Sequence, residues 1–113
     1  MTEEAALKAL DECRRRIDAF DVQIMELLNL RTREVEEIGR IKEEFRMPIY
    51  EPKREEDVFR NVTSHNIGPL PPDAVKRVFE RIIDEMRMLQ RLGMKKRKQQ
   101  QVSDGIQGAG TND

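Results

Sequence analysis

The sequence predicts an all-α fold of three helices, one very long, forming an intertwined helical homodimer. Three observations carry this prediction. Residues that favour helix (Leu, Glu, Lys, Arg, Met, Ala and Gln) dominate, while runs rich in Val, Thr and aromatics are missing. Apolar residues recur at spacings of three and four over most of the chain. With 113 residues, 37% hydrophobic and 4% aromatic, the chain is bounded to one domain without the apolar mass of a large monomeric core.

The first helix is predicted from about Ala5 to Phe45. Leu7, Leu10, Ile17, Phe20, Ile24, Leu27, Leu28, Val35, Ile38 and Ile41 make its amphipathic stripe. No proline interrupts it, and Gly39 is tolerable. Pro48 ends it by disfavouring helix at the residue before. Pro52 suits the first turn of a second helix, which carries Val58, Phe59 and Val62 and fades at Ser64 to Asn66. Ile67-Gly68-Pro69-Leu70-Pro71-Pro72 is a breaker. A third helix follows from Pro72 or Asp73, with Val75, Val78, Phe79, Ile82, Ile83, Met86 and Leu89 inward.

After Gly93 the apolar pattern stops. Residues 1–93 therefore read as the helical domain, and 94–113 as a basic helix end with a disordered tail from Val102 to Asp113. The cluster Lys95-Lys96-Arg97-Lys98 fits either a nucleic-acid contact or complementation of a helix C-terminal dipole, and the second is the expectation.

Length forces the dimer. A helix of about 40 residues spans about 60 Å, whereas a compact domain of about 100 residues has a radius of gyration near 13 Å. Two shorter helices cannot cover a stripe that long, so a second protomer is expected to cover it. The alternative is a bent or broken first helix folded into a monomeric bundle.

Composition narrows the function classes. The 21 basic and 22 acidic residues nearly balance, leaving no general footprint for nucleic acid. The lone Cys13 excludes an intrachain disulfide, and the lone His65 leaves little material for a zinc site or a His-based triad. No apolar stretch approaches 18 residues and the start is polar and acidic. No membrane span or secretion signal is expected, and a cytoplasmic location is the default.

The informative residues are polar ones on apolar stripes. Arg31 and Lys42 are eleven residues apart, which brings them within about 20° of one face. Val35 and Ile38 lie between them. A buried cation without a partner is costly, so this stripe expects an internal carboxylate or an anionic ligand. Arg14, seventeen residues before Arg31, is rotated by about 100° and displaced by about 25 Å. It reaches the same pocket only from an antiparallel partner. On the third helix, the stripe Val75, Phe79, Ile82, Met86 continues onto Gln90, an amide able to donate without the desolvation cost of a charge. Arg54 and Glu55 sit in the first turn after Pro52, where Glu55 also suits a helix N-terminus.

These segments resemble the all-helical class of chorismate mutases over about Leu7 to Leu92. Arg14 followed by Ile17-Asp18-Ala19-Phe20-Asp21 is similar to the start of that family. Leu27-Leu28-Asn29-Leu30-Arg31 and Gly39-Arg40-Ile41-Lys42 are similar to its leucine-rich Arg and Gly-x-x-Lys segments. Pro48 to Glu55 resembles its proline-led loop ending in Arg-Glu, and Ile82-Ile83-Asp84-Glu85-Met86 with Gln90 its third-helix motif.

The resemblance implies an enzyme of the shikimate pathway to phenylalanine and tyrosine, with chorismate as substrate. Its reaction, an intramolecular Claisen rearrangement to prephenate, needs no cofactor, metal, nucleophile or proton transfer. It implies that Arg14 of one subunit and Arg31 of the other bind the two carboxylates. Lys42 binds a carboxylate and the ether oxygen, and Gln90 donates to that oxygen. Glu55 accepts from the ring hydroxyl, helped by backbone around Glu51, and Arg54 lines or braces the pocket. Glu51 stands where many relatives have Asp, and Met86 where some have a small hydroxyl residue. Two rival readings stand beside it: an isochorismate pyruvate-lyase on the same fold, which shares the Arg14, Arg31, Lys42 and Gln90 pattern, and a non-enzymatic helical dimerisation module, which explains the long amphipathic helix alone. Glu55 after Arg54 favours the mutase over the lyase. Inward Lys42 and Gln90 have no purpose in the module.

Overall fold

The computed structural model describes residues 1–111, with side chains up to Gly105. Among the described residues there are three helices and no strand: α1 (Glu3–Glu44), α2 (Pro52–His65) and α3 (Pro72–Thr111). The chain divides into two compact units, Met1–Glu34 and Val35–Asp113. Among the described residues, no helix is long and apolar enough to cross a membrane.

In the Met1–Glu34 unit, Thr2 caps α1: Ala5 N donates to Thr2 Oγ1 at 3.1 Å, and Ala6 N to Thr2 O at 2.9 Å. Glu3 and Glu4 place negative charge in the first turn, where the helix dipole favours it. Nothing in this unit packs the stripe: Leu7, Ile17, Phe20, Ile24 and Leu27 are each more than half exposed. A lone helix has no second surface against which to bury one.

In the Val35–Asp113 unit, α1 stops through its own backbone. Met47 N donates to Lys42 O at 2.7 Å and Arg46 N to Glu43 O at 3.3 Å, with Arg46 at a φ of 55°. This is a Schellman stop with arginine in the left-handed position that glycine usually takes. Pro48 follows the stop. Pro52 then opens α2 without a side-chain cap, Glu55 N donating to Glu51 O at 3.1 Å. The turn into α3 hangs on Asn66, whose Oδ1 accepts from Gly68 N at 3.0 Å and whose Nδ2 donates to Leu70 O at 2.7 Å. Gly68 has a φ of +82°, a backbone conformation strained for any side chain. α2 packs on α3, and Val75 and Met86 are buried.

α3 differs from expectation at its far end. It continues past Gly93, as the basic helix end expected there, but also past Val102, staying helical through Thr111. The tail predicted from Val102 is therefore helical backbone as far as Thr111, while Asn112 and Asp113 lie outside the described residues. Lys95 to Gln101 are strong helix formers. Gln100 Nε2 donates to Asp104 Oδ1 one turn on, at 3.0 Å. Arg97 pairs with Glu43 in the last turn of α1, tying the segment beyond Gly93 to the rest of the unit. The basic cluster thus lies inside α3, whose last turn has no basic residue, and complements no C-terminal dipole.

Candidate active site

Lys42 sits near the end of α1 with its side chain 11% exposed. Its Nζ donates to Glu51 Oε1 at 2.6 Å and to Ile49 O at 3.2 Å. An internal carboxylate, one of the two partners the stripe was expected to need, is therefore present at Lys42. An ammonium has three donors, so these two contacts fix its direction and leave one N–H for something else. Glu51 is 48% exposed, so the pair is open to water on one side.

One turn earlier on the same face, Gly39 is buried against α3. A Cβ at Gly39 would meet Gln90 Cγ at 3.5 Å. Gln90 Nε2 donates to Val35 O at 3.3 Å. That carbonyl already accepts the helical bond from the N–H four residues on, so the amide holds a long, shared bond that is cheap to give up. Gln90, on α3, thus packs against α1 at Val35 and Gly39, and Gly39 lies three residues before Lys42 on α1.

Glu55 projects from the first turn of α2, half-buried, and its Oε1 accepts from Arg87 Nη2 on α3. The Arg87 guanidinium lies 4.9 Å from the centre of the Tyr50 ring and 3.8 Å from Asp84 Oδ1. Arg54 is exposed, and Met86 is buried at 8% exposure. Arg14 is exposed and Arg31 half-buried, both in the Met1–Glu34 unit. The hollow lined by Arg40, Arg46, Met47, Met94, Arg97 and Lys98 contains none of the predicted site residues. The one histidine stays outside the site too: His65 Nδ1 lies 2.7 Å from Asn61 O at the end of α2.

The family model for chorismate mutase type II matches residues 13–91. The chain belongs to this family. A chorismate mutase of Thermus thermophilus superposes with a TM-score of 0.72 at 34% identity, covering 74% of this chain and 94% of that one. The Helicobacter pylori chorismate mutase, solved in complex with prephenate, gives a TM-score of 0.72 at 27% identity, covering 78% and 96%. The bifunctional chorismate mutase/prephenate dehydratase of Neisseria gonorrhoeae is 36% identical over 78 residues, which are 69% of this chain and 21% of the relative. The chain thus spans about a fifth of the length of the curated bifunctional relatives it matches.

In this chorismate mutase family chain, four of the predicted residues, Lys42, Glu51, Gln90 and Glu55, make contacts between elements. Lys42 is joined to Glu51, and Gln90 lies one turn away along α1. Glu55 stands on α2, held from α3. Sequence reasoning missed Ile49, whose carbonyl orients Lys42, and also Tyr50 and Arg87. It expected the Glu51 backbone to act, and the structure gives its carboxylate a separate contact with Lys42. No spacing rule points to Arg87. Its partner Glu55 is 32 residues away, and only the packing of α2 on α3 makes them neighbours.

Proposed function

We propose that the protein is a chorismate mutase that rearranges chorismate to prephenate as a homodimer with shared sites. The observation that carries this is the buried Lys42 ammonium, with one N–H beyond those engaged by Glu51 and Ile49, together with the Gln90 amide that α3 packs on α1 at Val35 and Gly39. The Claisen rearrangement needs a diaxial, chair-like conformer held in place and negative charge on the breaking ether oxygen stabilised. Lys42 and Gln90 are donors for that oxygen. They matter most where C–O cleavage polarises it, which makes their binding differential and hence catalytic. Gln90 gives up its bond to Val35 O in exchange.

Arg31 and Arg14 take the two carboxylates as bidentate clamps, Arg14 arriving from the partner. Glu55 accepts from the ring hydroxyl, Arg54 and the Glu51 backbone border it, and Met86 forms the apolar wall. A million-fold acceleration corresponds to about 8 kcal/mol. Two preorganised donors at about 3 to 4 kcal/mol each, with conformer selection, account for that size.

The dimer is supported by the stripe of Leu7, Ile17, Phe20, Ile24 and Leu27, exposed in the single chain. Isolated monomers rarely expose so much contiguous apolar surface. A cytoplasmic site of action belongs to the same proposal, and cell fractionation tests it. The deciding experiment mixes purified protein with chorismate, follows loss of its absorbance and identifies prephenate, with isochorismate as competing substrate. No turnover at micromolar enzyme removes the mutase reading, and pyruvate release from isochorismate alone replaces it with the lyase.

A further inference from the structure

We infer that Arg87 is a positioning residue for this reaction, acting through Glu55. The inference rests on the reading of Glu55 as acceptor for the substrate's ring hydroxyl. A carboxylate at the first turn of a helix has several staggered rotamers, and only one aims it at a given hydroxyl. Arg87 selects among them. Its Nη2 donates to Glu55 Oε1, a charge-assisted bond of the stronger kind. With only one Glu55 oxygen committed to this contact, Oε2 remains as an acceptor.

The guanidinium is itself held from two further sides. It lies over the Tyr50 ring at 4.9 Å, within the range of a favourable cation–π contact. Asp84 Oδ1 lies 3.8 Å away, one turn back on α3. The Arg87 and Glu55 side chains are 24% and 22% exposed, so the pair is shielded more than a surface bridge. Three separate segments (the loop before α2, α2 itself and α3) converge on this one side chain. Lysine cannot replace it: an ammonium lacks the planar fork that faces a carboxylate while stacking on a ring.

The test is a double-mutant cycle on the full-length protein, measuring kcat/KM with chorismate and thermal midpoint for Arg87→Met, Glu55→Ala and the double variant. Arg87→Met is expected to lower kcat/KM by about ten- to a hundredfold, the worth of a hydrogen bond to a charged group. In the Glu55→Ala background the same change is expected to cost less than about threefold, since its target is gone. Arg87→Lys is expected to recover only part of the loss. Multiplying losses in the double variant would overturn the inference, because Arg87 would then act on substrate directly. A lowered midpoint with kcat/KM unchanged would also overturn it, reducing Arg87 to a clasp between α2 and α3. If Glu55→Ala alone leaves kcat/KM unchanged, the hydroxyl role of Glu55 falls and the inference with it. Absence of turnover in the unsubstituted protein instead removes the proposed function as a whole.

Discussion

Replacing Lys42 with methionine separates a functional cation from a structural one. The Lys42 side chain is 11% exposed and its partner Glu51 is 48% exposed, at an N–O distance of 2.6 Å. Water screens an ion pair whose carboxylate is half in solvent, so the pair contributes about 0 to 1 kcal/mol to folding. Methionine keeps most of the aliphatic packing and removes the cost of desolvating the ammonium. Glu51, once released, turns to water. The expected change in stability is therefore within about 1 kcal/mol, or less than about 8 °C in melting midpoint for a domain of this size. Catalysis should respond on a different scale. Loss of one donor to a developing oxyanion costs about a hundred- to a thousandfold in kcat, or about 2.7 to 4 kcal/mol. Steady-state rates from chorismate absorbance, set beside thermal melts at matched protein concentration, measure both. A kcat within about fivefold of the parent, or a melting loss large enough to explain the activity loss, would refute the reasoning.

Three further predictions follow from the same geometry. Gln90→Glu should be active mainly at acidic pH, since a protonated carboxyl still donates to the ether oxygen; activity present below the new group's pKa is lost as pH rises through it. A pH profile matching that of the parent protein would take Gln90 out of the mechanism. Arg46, at a φ of 55°, is strained by about 1 kcal/mol in the left-handed region. Arg46→Gly should raise the melting midpoint by a few degrees without changing kcat, and a lower midpoint in the melt would show that the arginine side chain outweighs the strain. Arg14→Ala and Arg31→Ala should each be nearly inactive, yet a verified heterodimer of the two should regain activity through one intact site; a heterodimer as inactive as its parents would argue against sharing.

Much of the molecule was legible in the chain because it depends on local rules. Period-3.6 apolar patterning and Pro48, Pro52 and Pro72 mark α1, α2 and the start of α3. Lys42 and Gln90 stand out as polar residues on apolar stripes; Lys42 is buried on α1, and Gln90 on α3 packs against Val35 and Gly39 of α1. The helix from Val102 to Thr111 was not legible, because the apolar stripe ceases after Gly93, and neither was the Arg97–Glu43 pair, 54 residues apart in sequence.

The sequence by itself determined that the chain is helical, where the breaks between its helices fall, and that polar groups such as Lys42 and Gln90 interrupt apolar stripes, since residue spacing and proline positions carry these. Only the tertiary structure decided what those groups touch. Glu51 meets Lys42 because the loop after Pro48 turns back on α1. Arg87 rather than solvent meets Glu55 because α2 lies along α3. Partner choice is a matter of distances between segments remote in sequence, and helical periodicity contains no information about them.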